Sequence, residues 1–189
     1  MGERALALRS AVVIGGASCV WDDFEAAKAI GEYDLLIAIN DAGAEYPGTV
    51  DYWISLHPEK MAQWARKRAD NGYAPARQYV AHIGNTNETR RDGGFRVSFS
   101  VPYTWHGSSG LFACEIALKT LEVDRVVLCG VPMTADPHFF DNAPWNAVKG
   151  FWDAWPAALP HIKDKVRSMS GRTKDLLGQP TKAWLTGAE

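Results

Sequence analysis

Cysteine is scarce: the 189 residues include three, Cys19, Cys114 and Cys129. The number is odd, the spacings match no metal site, and two of the three lie inside apolar runs. They read as reduced, buried thiols of a cytoplasmic protein. Charge of one sign is not in excess either, since Lys+Arg 20 against Asp+Glu 22 leaves a net charge of −2. Nothing therefore draws the whole molecule toward nucleic acid or anionic lipid. Long hydrophobic runs are missing as well. The longest uncharged stretch, 97–114, is broken by Ser, Thr, His, Pro and Gly, whereas a spanning helix needs about 18 apolar residues in succession. The opening MGERALALRS lacks the apolar core of a signal peptide. No membrane partner is expected. There is no internal repeat, low-complexity tract or interdomain linker, so one domain over 1–189 is expected, with 84–94 a loop or mobile lid and 178–189 a C-terminal tail.

What is present is a rich apolar fraction, 47% of the residues, enough to bury a core. Short β-branched runs alternate with longer amphipathic ones, the pattern of an α/β fold with a mostly parallel sheet. Strands are expected at 11–14 (AVVI), 34–39 (DLLIAI), 51–56 (DYWISL), 78–82 (QYVAH), 125–129 (RVVLC) and 165–169 (KVRSM), with 97–101 (VSFSV) a seventh. The continuous apolar character of the first, second and 125–129 runs predicts helices on both faces, a doubly wound Rossmann-like sheet. Helices are expected over 22–30, 58–69, 111–121 and 146–159, the last stopped or kinked by Pro156.

In such a sheet ligands bind beyond the carboxyl ends of the strands. Four of the five histidines, His57, His82, His106 and His138, fall in those segments. The turn VVIGGASCV sets Gly15, Gly16 and Ser18 between a buried strand and a helix, where backbone N–H groups and the helix dipole favour an anion. Tight turns also use glycine for steric reasons alone, and Ser18 suits a helix cap as well as a phosphate contact. Asn40 and Asp41 end the second strand where a ribose or base is often read; a turn whose side chains bond their own backbone is the alternative. Ser108, Ser109 and Gly110 open a helix, either as a second anion site or as a simple cap. Gly130 begins an irregular segment carrying Asp136, His138 and Asp141, and a histidine near carboxylates can act as general base. His57 is the second candidate for that role. Ser170 and Arg172 follow the last strand. DPH and His57 are weak metal ligands, and no metal is expected. Trp105, Trp145, Trp152 and Trp155 either stack on a base or sugar or pack in the core or between subunits of a homo-oligomer.

Together these segments resemble the small bacterial sialyltransferases and their relatives, the motility accessory factors and the archaeal 6-hydroxymethylpterin diphosphokinase-like proteins. GGASC is similar to the family's nucleotide loop, with Ala17 where proline is usual. AIND resembles its strand ending in asparagine. SSGLFACEIALKTLEVDRVVLCGVPM carries the closest match, and VRSMSGRTKDLL looks like the last strand and turn. Pro132 stands where relatives carry aspartate. The resemblance implies a Rossmann-like fold and a base at His138, shortly before the penultimate helix.

The function these readings lead to is a nucleotide-dependent transferase, a glycosyltransferase moving a sugar from a nucleotide-sugar donor to an acceptor hydroxyl, with no tightly bound cofactor. Residues 15–18 and 108–110 would hold the donor phosphates, Asn40 and Asp41 its ribose or base. Arg167 or Arg172 would meet the charge on the leaving phosphate. Two alternatives stay open: a non-catalytic nucleotide-binding or sequestering module, and a nucleotide or nucleoside hydrolase using the same crevice. Arg66-Lys67-Arg68 and Arg90-Arg91 would suit a polyanionic acceptor such as nucleic acid, although such runs on a net-acidic protein are usually solvated faces.

Overall fold

Each apolar run expected to be a strand contains one. The structure, a computed structural model, describes residues 8–82 and 95–189; the polar stretch 84–94, with Arg90 and Arg91, lies outside them. The strands are β1 (Ser10–Ile14), β2 (Leu35–Ile39), β3 (Tyr52–Ser55), β4 (Gln78–His82), β5 (Phe99–Val101), β6 (Arg125–Cys129) and β7 (Val166–Ser168). They form one sheet in the order β5-β4-β3-β2-β1-β6-β7, with every neighbouring pair parallel. The helices are α1 (Val20–Ile30), α2 (Ala42–Glu45), α3 (Pro58–Asp70), α4 (Ser109–Lys119), α5 (Val148–Phe151), α6 (Ala154–Ile162), α7 (Gly171–Leu177) and α8 (Lys182–Thr186).

The strand alternation explains the uninterrupted apolar runs. In β1, Ala11 and Val13 enter one core with α4, α6 and Leu177, while Val12 and Ile14 enter the other with α1, α3 and α8. Both faces of the central strands are therefore dry, and each fully buried aliphatic side chain contributes about 1.5–3 kcal/mol. Helix α4 is buried at every position from Gly110 to Ala117.

Three sequence expectations change in the folded chain. The single helix over 146–159 is two, α5 and α6, and the break precedes Pro156, which sits in the first turn of α6. A proline there removes no intrahelical hydrogen bond, so it starts a helix instead of stopping one. The tail 178–189 carries α8, whose Trp184 N–H donates to Thr181 Oγ1 at 3.0 Å and whose Trp184 and Leu185 are buried. The basic run 66–68 is not one patch. Helical spacing puts Arg68 on the buried face with Met61 and Trp64. Its guanidinium, 1% exposed, donates to the carbonyls of Gly43, Tyr46, Gly48 and Ala74. Those carbonyls replace the water the cation lost. Neighbouring Lys67 pairs with Glu45.

The three thiols are free. Cys114 and Cys129 are buried, and burial pushes both thiols upward; Cys19 is half-buried and raised to about 11, first by burial.

Candidate functional site

From β1 the chain lays β2 to β5 outward on one side, then returns to place β6 and β7 on the other. The connections leaving β1 and β6 thus depart to opposite faces and open a crevice at their carboxyl ends. A cleft of about 330 Å³ lies there, lined by the ends of β1, β2, β3 and β6, the starts of α3 and α4, and the segment 130–145.

One wall is made of turns held by main-chain bonds. The Gly15 N–H donates to the Cys129 carbonyl at 2.8 Å and the Ala17 N–H to that of Gly130 at 3.1 Å. A Cβ on Gly15 would stand 2.4 Å from the Gly130 oxygen, so glycine alone allows this approach. Beneath it Asp23 of α1, 8% exposed, accepts from the Gly130 N–H at 2.9 Å and the Ser170 hydroxyl at 2.6 Å. One carboxylate thereby ties the turns after β1, β6 and β7 together. The sequence reading missed Asp23; its place in the first turns of a helix that follows a glycine turn is the signal that was there.

Asn40 follows β2 with φ 48, the left-handed region. Its Oδ1 accepts from Ser55 Oγ at 2.7 Å and its Nδ2 donates to Ser109 Oγ at 3.4 Å, so the side chain bridges three elements and does not bond its own backbone. Asp41 opens α2 without a side-chain cap.

The start of α4 is also prearranged. The Tyr103 hydroxyl accepts from the Gly107 N–H at 2.5 Å and donates to the Ser108 carbonyl at 3.1 Å. Buried Glu115 accepts from the Thr104 and Trp105 N–H groups at 3.0 and 3.2 Å. Ser108 occupies the N-cap position without capping the helix; its hydroxyl lies 3.7 Å from Met133 Sδ. The first-turn N–H groups at Ser109 and Gly110, both lining the cleft, are thus uncapped by Ser108.

His138 belongs to the other wall. The Ser18 N–H donates to the Pro137 carbonyl at 2.9 Å and the Phe139 N–H to that of Gly16 at 3.0 Å, an antiparallel bridge that clips His138 over the glycine turn. Its ring stacks on Phe140 (5.1 Å, 19°) and meets Trp145 edge-on (5.8 Å, 70°). No hydrogen bond or ion pair engages the imidazole among the described residues. Burial lowers its pKa from the usual 6.5, against the opposing fields of Asp41 and Asp141. The ring is therefore neutral near pH 7 and able to take a proton.

His57 opens α3 on the far side, half exposed, with Nδ1 3.2 Å from Glu59. Lys60, one turn on, also lines the cleft and forms no ion pair among the described residues. Among the described residues it is the one lysine or arginine in the lining, and the sequence reading missed it although it lies three residues beyond His57 on a helix that starts at a strand end.

Of the residues singled out from sequence, the cleft gathers Gly15, Gly16, Asn40, Asp41, His57, Ser108, Ser109, Gly110, Gly130 and His138. Ser18, Ser170 and Arg172 are not in the lining. Ser18 is exposed, and Cys19, not Ser18, stands at the N-cap of α1. Ser170 and Arg172 follow the edge strand β7, one strand beyond the crevice, and their polar ends are already engaged. The Ser170 hydroxyl binds Asp23, and the Arg172 guanidinium lies 3.7 Å from the Trp152 ring centroid. Arg167 packs over Trp184 at 5.6 Å, also outside the lining. His82 and His106 pack with Tyr103 instead. Among the four tryptophans considered, Trp145 alone lines the cleft; Trp155 is fully buried, and Trp105 stacks on His161. Among the described residues no group of three or more His, Cys, Asp or Glu is placed to hold a metal, and no helix is long and apolar enough to cross a membrane.

No protein-family model matches the chain, and no curated protein matches it in sequence. Among solved structures it is similar to the sialyltransferase CstII of Campylobacter jejuni, in complex with the substrate analogue CMP-3FNeuAc, with a TM-score of 0.63 and 11% identity over 95% of this chain and 88% of that one. It is also similar to the monofunctional alpha-2,3-sialyltransferase Cst-I of Campylobacter jejuni, with a TM-score of 0.62 and 13% identity over 98% of this chain and 86% of that one. At such identities the likeness is one of fold. These structures are sialyltransferases, one of the families the sequence resembles.

Proposed function

We propose that this protein is a glycosyltransferase that moves a sugar from a nucleotide-sugar donor to an acceptor hydroxyl at the β1/β6 crevice. The observation that carries the reading is His138: a neutral imidazole, free of hydrogen bonds among the described residues, clipped against the glycine turn where strand order reverses. Phosphate oxygens of the donor would meet the N–H groups at the start of α4 and that of Gly16, since the Gly15 N–H already donates to Cys129. Asn40, already oriented by Ser55 and Ser109, would hold the ribose or base, with Asp41 beside it. His138 would withdraw the acceptor proton as the sugar leaves its phosphate. Lys60, and not Arg167 or Arg172, would pair with the bound donor's phosphates, because among the described residues it is the lysine or arginine that lines the cleft. The fold likeness to sialyltransferases supports this reading, and the CMP-sugar analogue bound by one of them makes cytidine nucleotides the first donors to test.

The test is a thermal-shift screen with CMP, the other nucleoside monophosphates and their nucleotide sugars, followed by product analysis with and without acceptors. A ligand at one hundred times its Kd stabilises the fold by about 2.7 kcal/mol. We expect at least one nucleotide to raise Tm and its sugar derivative to be consumed faster with an acceptor. A folded protein that no nucleotide stabilises would sink the proposal. Binding without consumption would favour a sequestering module, and consumption independent of acceptor a hydrolase.

A further inference from the structure

Two large apolar side chains stand out as exposed among the described residues, Phe140 at 52% and Phe151 at 37%, and both line the same cleft. They are not isolated. Phe151 stacks on Trp145 (6.1 Å, 9°), Trp145 meets His138 edge-on, and His138 stacks on Phe140. The rings make a continuous but stepped aromatic platform with His138 in its middle, because successive pairs are stacked, edge-on and stacked. Exposed aromatic surface of this kind, confined to a concave site, marks a binding face.

The polar groups around the platform restrict what it can hold. From Val131 to Val148 the chain has two carboxylates, Asp136 and Asp141, and no lysine or arginine. Asp136 lines the cleft with Thr134 donating to it at 2.5 Å, and Asp141, like Asp41, acts electrostatically on His138. Carboxylates accept hydrogen bonds from hydroxyls, and the π faces attract polarised C–H groups. Both repel anions. The opposite side of the cleft is mixed: Asp41 stands beside Asn40, while Lys60 and the start of α4 supply a cation and N–H donors.

We infer that the platform of Phe140, Trp145 and Phe151 is the acceptor subsite, and that it takes a neutral saccharide whose flat C–H face stacks on the rings while its hydroxyls reach Asp136 and His138. The sugar's role as acceptor rests on the transferase reading above; the saccharide site itself does not. On that reading the enzyme keeps its two substrates apart by charge, with the anionic donor against Lys60 and the uncharged acceptor against the acidic, aromatic wall.

The inference is tested by saturation-transfer NMR on the full chain, with and without CMP, using lactose, maltose, cellobiose and chitobiose against lactose 3′-sulfate. CMP affinity is measured separately by calorimetry. We expect transfer to the ring C–H protons of at least one neutral disaccharide and none to the sulfated one. In the Phe140→Ala/Phe151→Ala protein this signal should fall about fivefold or more, with CMP affinity and melting temperature kept. Asp136→Asn/Asp141→Asn should admit the sulfated sugar. The inference is overturned if no neutral sugar receives saturation, if the sulfated one is preferred, or if the double phenylalanine variant binds as before. It is also overturned if light scattering shows that this variant breaks an oligomer, because a second copy would then be the occupant. CMP binding without sugar binding would leave the donor reading standing and remove this one. Sugar binding that depends on Phe140 and Phe151, without CMP binding, would do the opposite.

Discussion

The two walls of the cleft are built by different means. The turn wall, from Gly15, Asn40, Ser109 and Gly130, consists of strand ends and helix starts fixed by main-chain bonds, by the Asn40 bridge and by Asp23 below. The aromatic wall, 134–151, has little regular structure. It is joined to the turn wall by one short bridge at residue 138, and held on itself by local main-chain bonds, such as that from the Trp145 N–H to the Ala135 carbonyl, and by ring stacking. The first is suited to holding a rigid anionic group, because its donors are placed before any ligand arrives. The second places His138 and a stacking surface. On the proposed reading, rigidity and chemistry are thus divided between them.

The largest effect falls on the aromatic wall. His138→Ala should lower kcat by about 10²–10⁴-fold, the range lost with a general base, while the thermal shift given by a nucleotide is retained. If the shift vanishes instead, His138 is a binding residue and the division fails. Next comes the support of the turn wall. Asp23→Ala leaves the buried Gly130 N–H unpaired and takes from the half-buried Ser170 hydroxyl its carboxylate partner, and should cost about 2–3 kcal/mol, read as a lower urea midpoint; Asp23→Asn should recover part of it. An unchanged midpoint would mean that the turns hold themselves.

Lys60→Ala should raise the donor KM about tenfold, the worth of a charged hydrogen bond, with kcat little altered and Lys60→Arg restoring most of it. A change confined to kcat would move Lys60 from ground-state binding to leaving-group stabilisation. The smallest effect is on titration. Since burial lowers the His138 pKa, an NMR titration should find its midpoint below 6.5. A base must be neutral to act, so the acid limb of kcat/KM should lie below 6.5 too, with activity falling as pH drops through the His138 value. Asp41→Asn and Asp141→Asn each remove a field that favours the imidazolium, and should move that midpoint lower still. A midpoint at or above 6.5 would show that the carboxylates outweigh burial.

Much of this was readable from residues near one another in the chain. AVVI, LLIAI and RVVLC have both faces apolar, which requires helices on both sides of a parallel sheet. The turns that follow carry the glycines, the asparagine and the serines that line the cleft, because ligands gather at the carboxyl ends of such strands. His138 was visible as a histidine near carboxylates in an irregular segment. Pro156 is ambiguous in sequence because a proline stops a helix or starts one according to its turn, and the local residues suit both.

What the sequence by itself determined is therefore the class of fold and the segments from which a site would be made, since strand and turn preferences act over a few residues. Only the tertiary structure decided that Arg68 is buried under four carbonyls while Lys60, two turns earlier, faces the cleft. It alone brought Asp23 to Gly130, 107 residues away, laid His138 over Gly16, and left Arg172 on Trp152. These outcomes depend on the order of strands in the sheet and the face to which each crossover returns. Both are set by how the whole core packs, and no short stretch of residues contains that information.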